Sequence, residues 1–225
     1  MLLDIDLINS ELCDSIEVKV LDSVNAGRIN VEADYDEEMD ELQVDAYNVV
    51  LTLTHPGEYS AGSIRFFAAG SSTYADVVVF EVRYKKSGRV VGSSVFADVG
   101  ELKLLKYKVE LPRGAKVTLF DDASIEAKYL SWNIPCPRSF QNMTYLQVKA
   151  ANGFEKQITP SAGSQSIELY TELGRRYAVF GEIWTYSFAQ TLWFADLRVQ
   201  KSDSEWQDVV PTAGEGGTIV TALPQ

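Results

Sequence analysis

The single histidine of the chain, His55, stands in the turn-like run Thr54-His55-Pro56-Gly57, and the only two cysteines, Cys13 and Cys136, lie far apart. Nucleophilic triads need a base beside a serine or cysteine, and zinc sites draw on several His or Cys side chains together. One loop histidine meets neither requirement. Neither cysteine has a neighbouring His or basic run to favour its thiolate. Two thiols allow at most one disulfide, Cys13 to Cys136, and the reduced state is the expectation for a chain so poor in cysteine.

Carboxylates are plentiful, 32 in all. Glycoside hydrolysis asks for two of them across a cleft, and no motif singles out such a pair. The densest acidic stretch holds Glu32, Asp34, Asp36, Glu37, Glu38, Asp40, Glu41 and Asp45. Its oxygens suit a hard cation, but an EF-hand loop bends at a glycine and this segment has none. A charged loop or a guarded strand edge is the better reading, since charge on an edge discourages indiscriminate strand pairing. Gly214, Gly216 and Gly217 lack the Lys-Ser/Thr of a phosphate-binding loop and read as a hairpin turn. Asn142-Met143-Thr144 matches a glycosylation acceptor with no secretion signal to give it meaning. These readings predict no catalytic residue, no metal, no cofactor and no enzymatic activity.

Aromatic side chains offer a different chemistry. Trp184, Tyr186, Phe188 and Trp193 fall close together. Trp193 alternates in phase with Ala195, Leu197 and Val199 and reads as core packing. Trp184, Tyr186 and Trp206 are the candidates for a surface that stacks on a sugar ring or anchors a ligand.

The formal net charge of −12 opposes binding to nucleic acid or an anionic membrane surface, and no Lys/Arg cluster overrides it. The start, Met1 to Ile8, carries Asp4 and Asp6 where a signal peptide requires a basic and then an apolar stretch. No apolar run approaches the length that crosses a bilayer as a helix. The expectation is a protein made in the cytoplasm, without membrane insertion and without nucleic acid as a partner.

The elements that position these groups read as strands. Period-two alternation recurs at Tyr47, Val49, Leu51 and Leu53, at Val78, Phe80, Val82 and Tyr84, and at Leu105, Tyr107, Val109 and Leu111. It continues through Leu146, Val148 and Ala150, Ile167 and Leu169, Tyr177 to Trp184, and Thr191 to Val199. Turn signals separate the runs, among them Asn25-Ala26-Gly27, Lys86-Ser87-Gly88, Pro112-Arg113-Gly114, Asn152-Gly153 and Gly214 to Gly217. Asp36 to Leu42, rich in Glu, is the best candidate for a short helical turn, and Ser10 to Ser15 is a weaker one.

Trp132 to Phe140 contains Pro135 and Pro137 around Cys136 and reads as a connector. A weak internal repeat agrees with a division there. Tyr74-Ala75 followed by Phe80 matches Phe188-Ala189 followed by Phe194, at an offset of about 114 residues. The predicted fold is all-β, with two tandem antiparallel β-sandwich units of immunoglobulin-like or small jelly-roll type and little or no helix. Its parts are an N-terminal arm, 1–15, a first unit, 16–131, a connector, 132–140, and a second unit, 141–225.

The arm carries Leu2, Leu3, Ile5, Leu7 and Ile8, an apolar run at a terminus that would otherwise fray. Such a segment suits strand pairing with a neighbouring subunit. The function these features predict is a non-enzymatic structural protein that assembles with itself or with other structural subunits. A homo-oligomeric component of a virus or phage particle, such as a capsid, turret, spike or tail subunit ending in a virion, fits them best. The alternative is a carbohydrate- or ligand-binding β-sandwich module.

Overall fold

The computed structural model describes residues 3–5, 15–23, 29–35, 38–43, 50–53, 62–68, 78–99, 101–133, 146–149, 155–158, 163–168, 178–184, 189–201, 206–214, 216–217 and 219–224. His55, Cys13, Cys136, Asn142 and the turns at Asn25-Ala26-Gly27 and Asn152-Gly153 lie outside them. The described residues form antiparallel β-sheets and contain no helix. The chain divides into two compact units, Met1–Leu104 with Pro224–Gln225, and Leu105–Leu223.

The first unit holds β1 (Leu3–Ile5), β2 (Ser15–Ser23), β3 (Ile29–Tyr35), β4 (Glu38–Gln43), β5 (Val50–Leu53), β6 (Gly62–Ala68), β7 (Val78–Lys86), β8 (Arg89–Asp98) and β9 (Leu102–Leu104). They form one sheet in the order β1-β6-β3-β4 and another in the order β5-β2-β7-β8-β9. β7 lies at the centre of the second sheet, and its sequence explains why. Val78, Phe80 and Val82 are fully buried, as the period-two pattern requires, and Val79 is buried as well. Glu81 and Arg83 share the opposite, half-buried side, where Arg83 pairs with Glu81 at 2.9 Å and with Glu17 of β2 at 3.5 Å. The hydrogen bond to Glu81 raises the guanidinium pKa above its ordinary value, against the opposing effect of burial, with Glu17 adding to the rise. Phe80 faces Phe96 of β8 directly across the ladder, and the rings stack with centroids 5.7 Å apart. Such a cross-strand aromatic pair contributes about 1 kcal/mol beyond its burial.

The segment Asp36 to Leu42, expected to include a helical turn, instead contributes β4. Glu38–Gln43 pairs with all but one residue of β3, from Asn30 opposite Gln43 to Tyr35 opposite Glu38. The pairing partner decides its conformation where local composition favours a turn, which is the ordinary weakness of strand propensity as a guide. Ser15, the end of the weaker helical candidate, begins β2.

The second unit contains β10 (Tyr107–Leu111), β11 (Lys116–Asn133), β12 (Leu146–Lys149), β13 (Glu155–Ile158), β14 (Ser164–Glu168), β15 (Ala178–Trp184), β16 (Gln190–Phe194), β17 (Leu197–Lys201), β18 (Trp206–Asp208), β19 (Thr212–Ala213) and β20 (Ile219–Ala222). β10 is flanked by β16 and β20. Four of the remaining strands, β14, β15, β17 and β19, pair with β11, while β12 pairs with β15 and β13, and β18 with β17. The first part of β11 pairs with β15 and β19, and its last part with β17 and β14. Register shifts between Thr118/Phe120 and Asp121/Glu126 mark the change of partners, as in strands that turn from one sheet into another. The sequence there, Phe120-Asp121-Asp122-Ala123-Ser124, loses the apolar alternation.

β10 and β11 therefore pair with strands that follow residue 141, which groups 105–131 with the C-terminal strands. Trp132 and Asn133 end β11 as regular strand, and 134–140 lie outside the described residues. Leu105, Val109, Leu111, Val117, Leu119, Trp132, Leu192, Phe194 and Val199 are buried to 2% exposure or less and form the core of this unit. Of the positions matched by the internal repeat, Phe80 is in the central β7 and Phe194 ends β16, at the margin of its sheet, while Tyr74, Ala75 and Phe188 lie outside the described residues.

Two expected turns are present. Ser87 and Gly88 both have positive φ, 50° and 75°, as a two-residue hairpin of the mirror-image type demands. After Pro112, Gly114 takes φ 77° and the Ala115 amide donates to the Pro112 carbonyl at 3.0 Å.

Candidate functional site

The three aromatic candidates are not brought together among the described residues. Trp184 is the last residue of β15, in register with Lys116 and Gln147, and Tyr186 lies outside the described residues. Trp206 opens β18 with 38% of its surface exposed. The Arg198 guanidinium of the neighbouring β17 stands 5.4 Å from the centre of its ring, close enough for cation–π attraction. Trp193 and Trp132 are buried, at 3% and 1% exposure. Lys108, directly opposite Trp193 on β10, places its ammonium 5.5 Å from that ring and so covers a core side chain with a solvated head.

Of the arm, Leu3 and Ile5 lie in β1, which pairs with β6 of the same chain through Leu3 opposite Ile64 and Ile5 opposite Gly62. Leu2, Leu7 and Ile8 lie outside the described residues.

A polar cluster in the second unit invites a catalytic reading. The Asn133 side-chain amide donates to Asp196 Oδ2 at 3.1 Å, and Lys106 Nζ reaches Asp196 Oδ1 at 3.4 Å. Ser164 donates its hydroxyl proton to Asn133 Oδ1. The backbones lock the same residues, with the Asn133 amide donating to the Asp196 carbonyl at 3.0 Å and the Ala195 amide to the Asn133 carbonyl at 3.3 Å. A serine becomes a nucleophile by giving its proton to a base. Here it faces an amide oxygen, which is too weakly basic for that role. The cluster fastens the end of β11 to the Ala195–Asp196 bend and to β14. Among the described residues no group of three His, Cys, Asp or Glu side chains is placed to hold a metal ion.

One shallow groove of about 390 Å³ crosses the end of the β16-β10-β20 sheet, lined by Glu110, Leu111, Gln190, Thr191 and Ile219 among others. Gln190 is 5% exposed and its Oε1 has no hydrogen-bond partner among the described residues.

The most distinctive surface is a strand edge in the first unit. β8 pairs with β7 along its length, from Val78 opposite Asp98 to Lys86 opposite Arg89. On its other side β9 covers only Phe96, Ala97 and Asp98. Arg89 to Val95 thus presents a row of backbone amides and carbonyls with no strand partner among the described residues. Val90 and Val91 on this stretch are 52% and 56% exposed, and Leu102 and Leu104 of β9 are 40% and 39% exposed. A register shift between Tyr84 and Lys85 leaves Val91 as an extra residue on β8, the local bulge by which edges are bent. The signal in the sequence was the pair Val90-Val91 directly after a hairpin turn, β-branched and without alternating polarity.

Comparison with protein-family models, with curated proteins and with solved structures gave no match to this chain. No helix among the described residues is long and apolar enough to cross a membrane.

Proposed function

We propose that the protein is a non-enzymatic structural subunit that assembles with copies of itself or with other structural subunits, as a component of a virus or phage particle such as a capsid, turret, spike or tail. In this reading each unit is a β-sandwich of the immunoglobulin-like or small jelly-roll kind. The observation that carries the proposal is the open edge of β8, where backbone groups with no strand partner among the described residues coincide with the exposed Val90 and Val91. Natural sheets cover, shorten or charge such edges unless another strand is to be added to them. The test is sedimentation velocity on the full-length chain over a wide concentration range. Discrete oligomers or larger particles are the expected result, and a 25.0 kDa monomer throughout would overturn it.

A second reading, a carbohydrate-binding module, is favoured by the exposed Trp206 ring held by Arg198. It predicts quenching of tryptophan fluorescence by oligosaccharides and the loss of that response in Trp206→Ala.

A further inference from the structure

Two strand edges of the first unit differ in charge as well as in position. The open part of β8 and the turn before it, Lys86 to Val95, contain Lys86 and Arg89, both exposed, and no acid. β4 ends the other sheet of the same unit and, among the described residues, pairs only with β3. Its six residues, Glu-Met-Asp-Glu-Leu-Gln, include three carboxylates and no cation. In the sequence, Asp34, Asp36, Glu37 and Asp45 stand within four residues of this segment.

The two edges also match in length. At about 3.4 Å per residue, β4 extends about 20 Å, and Arg89 to Val95 offers slightly more. β1, β5 and β9 are the other short edge strands, of three, four and three residues, and none carries more than one acid.

Resting on the assembly reading above, we propose that the open edge of β8 in one copy receives β4 of a second copy. The copies then join head to tail by strand addition. A strand gains main-chain hydrogen bonds wherever it docks, so charge must select among edges. Two β4 edges repel each other. A β4 edge brought to Lys86 and Arg89 is attracted. The bulge at Val91 bends the β8 edge out of the flat form on which unselective aggregation depends. A heterologous contact of this kind closes into a ring or propagates as a filament, according to the rotation it imposes.

The experiment compares three full-length proteins by sedimentation velocity, with circular dichroism and thermal melting to establish that each is folded. The wild type should assemble, and its association constant should fall at least about tenfold between about 0.05 and 0.5 M salt. Arg89→Glu with Val91→Asp makes the receiving edge acidic at two exposed positions. Glu38→Lys with Asp40→Lys makes the inserting strand basic. Each double variant alone should be monomeric where the wild type assembles, and mixing the two should restore assembly, because opposite charges then meet again.

Assembly of the Glu38→Lys/Asp40→Lys protein by itself, as far as the wild type, would overturn the inference in favour of β8 pairing with its own copy. Salt-insensitive assembly, or both variants behaving as wild type, would overturn it in favour of another surface. In those outcomes the structural-subunit reading survives. A wild type that stays monomeric at every concentration overturns both.

Discussion

Lys116 Nζ lies 2.8 Å from Glu182 Oε1, and the two side chains are only 19% and 11% exposed. The register makes them diagonal neighbours, since Lys116 is opposite Trp184 and Glu182 is two residues along the same strand. A Cβ added at Gly214 would stand 2.6 Å from Lys116 Cγ and 3.1 Å from the Lys116 carbonyl oxygen. The glycine therefore lets the β19 side of the sheet close over the lysine stem. Glu182→Gln replaces the carboxylate beside a largely buried ammonium by a neutral amide and should cost about 2 kcal/mol. Gly214→Ala should cost about 1–3 kcal/mol by overpacking. In a Lys116→Ala background much of the Gly214→Ala penalty should disappear, because the crowded Cγ is gone. Urea unfolding of the single and double variants measures that coupling, and strict additivity would show that the approach is relaxed elsewhere.

The Asn133–Asp196 hydrogen bond predicts a pH effect of defined sign. Asn133→Asp sets a carboxyl where Nδ2 now donates to Asp196 Oδ2. Like charges at hydrogen-bond distance raise the pKa of the introduced carboxyl above its unfolded value of about 3.9. A raised carboxyl pKa contributes no penalty below the unfolded value and an increasing one as pH climbs through the folded value. The variant should thus lie nearest to wild-type stability at about pH 4 and lose ground toward pH 7, by about 1–3 kcal/mol. Parallel loss at both pH values would mean that the missing donor alone matters.

The sheet-forming runs were legible where one face of a strand is buried and the other is wet. Val78, Phe80 and Val82 against Glu81 and Arg83 is that case, and so is the Lys86-Ser87-Gly88 turn. β16 shows where the pattern loses information: Leu192, Trp193 and Phe194 are all buried, so no alternation distinguishes inward from outward. β4 shows a second limit, since its acids satisfy local rules for a turn while β3 imposes a strand. The open β8 edge was hidden for a third reason. Whether a strand has a neighbour depends on the length of the next one, and β9 stops after three residues.

The β7–β8 hairpin tests local conformation without packing. Gly88 has φ 75°, and a Cβ there would meet nothing within 4 Å. Gly88→Ala therefore introduces left-handed strain alone, about 1 kcal/mol. Gly88→Asn should cost less, because asparagine tolerates that region better. A thermal melt ranks the three proteins as wild type, then Gly88→Asn, then Gly88→Ala. Equal losses for Asn and Ala would point to crowding instead.

Trp206 separates binding from stability. Its ring is 38% exposed and stacks with Arg198, whose Nε is buried without a hydrogen-bond partner among the described residues. Trp206→Ala removes part of the cover from that guanidinium and should cost about 1 kcal/mol, the scale of an exposed cation–π contact plus partial burial. Trp206→Phe retains a face for Arg198 and should recover about half. If the assembly reading holds, neither variant changes the sedimentation profile, since Trp206 belongs to the second unit and the open edge to the first. Loss of oligomers in Trp206→Ala, with the fold intact by circular dichroism, would instead place an assembly contact on β18.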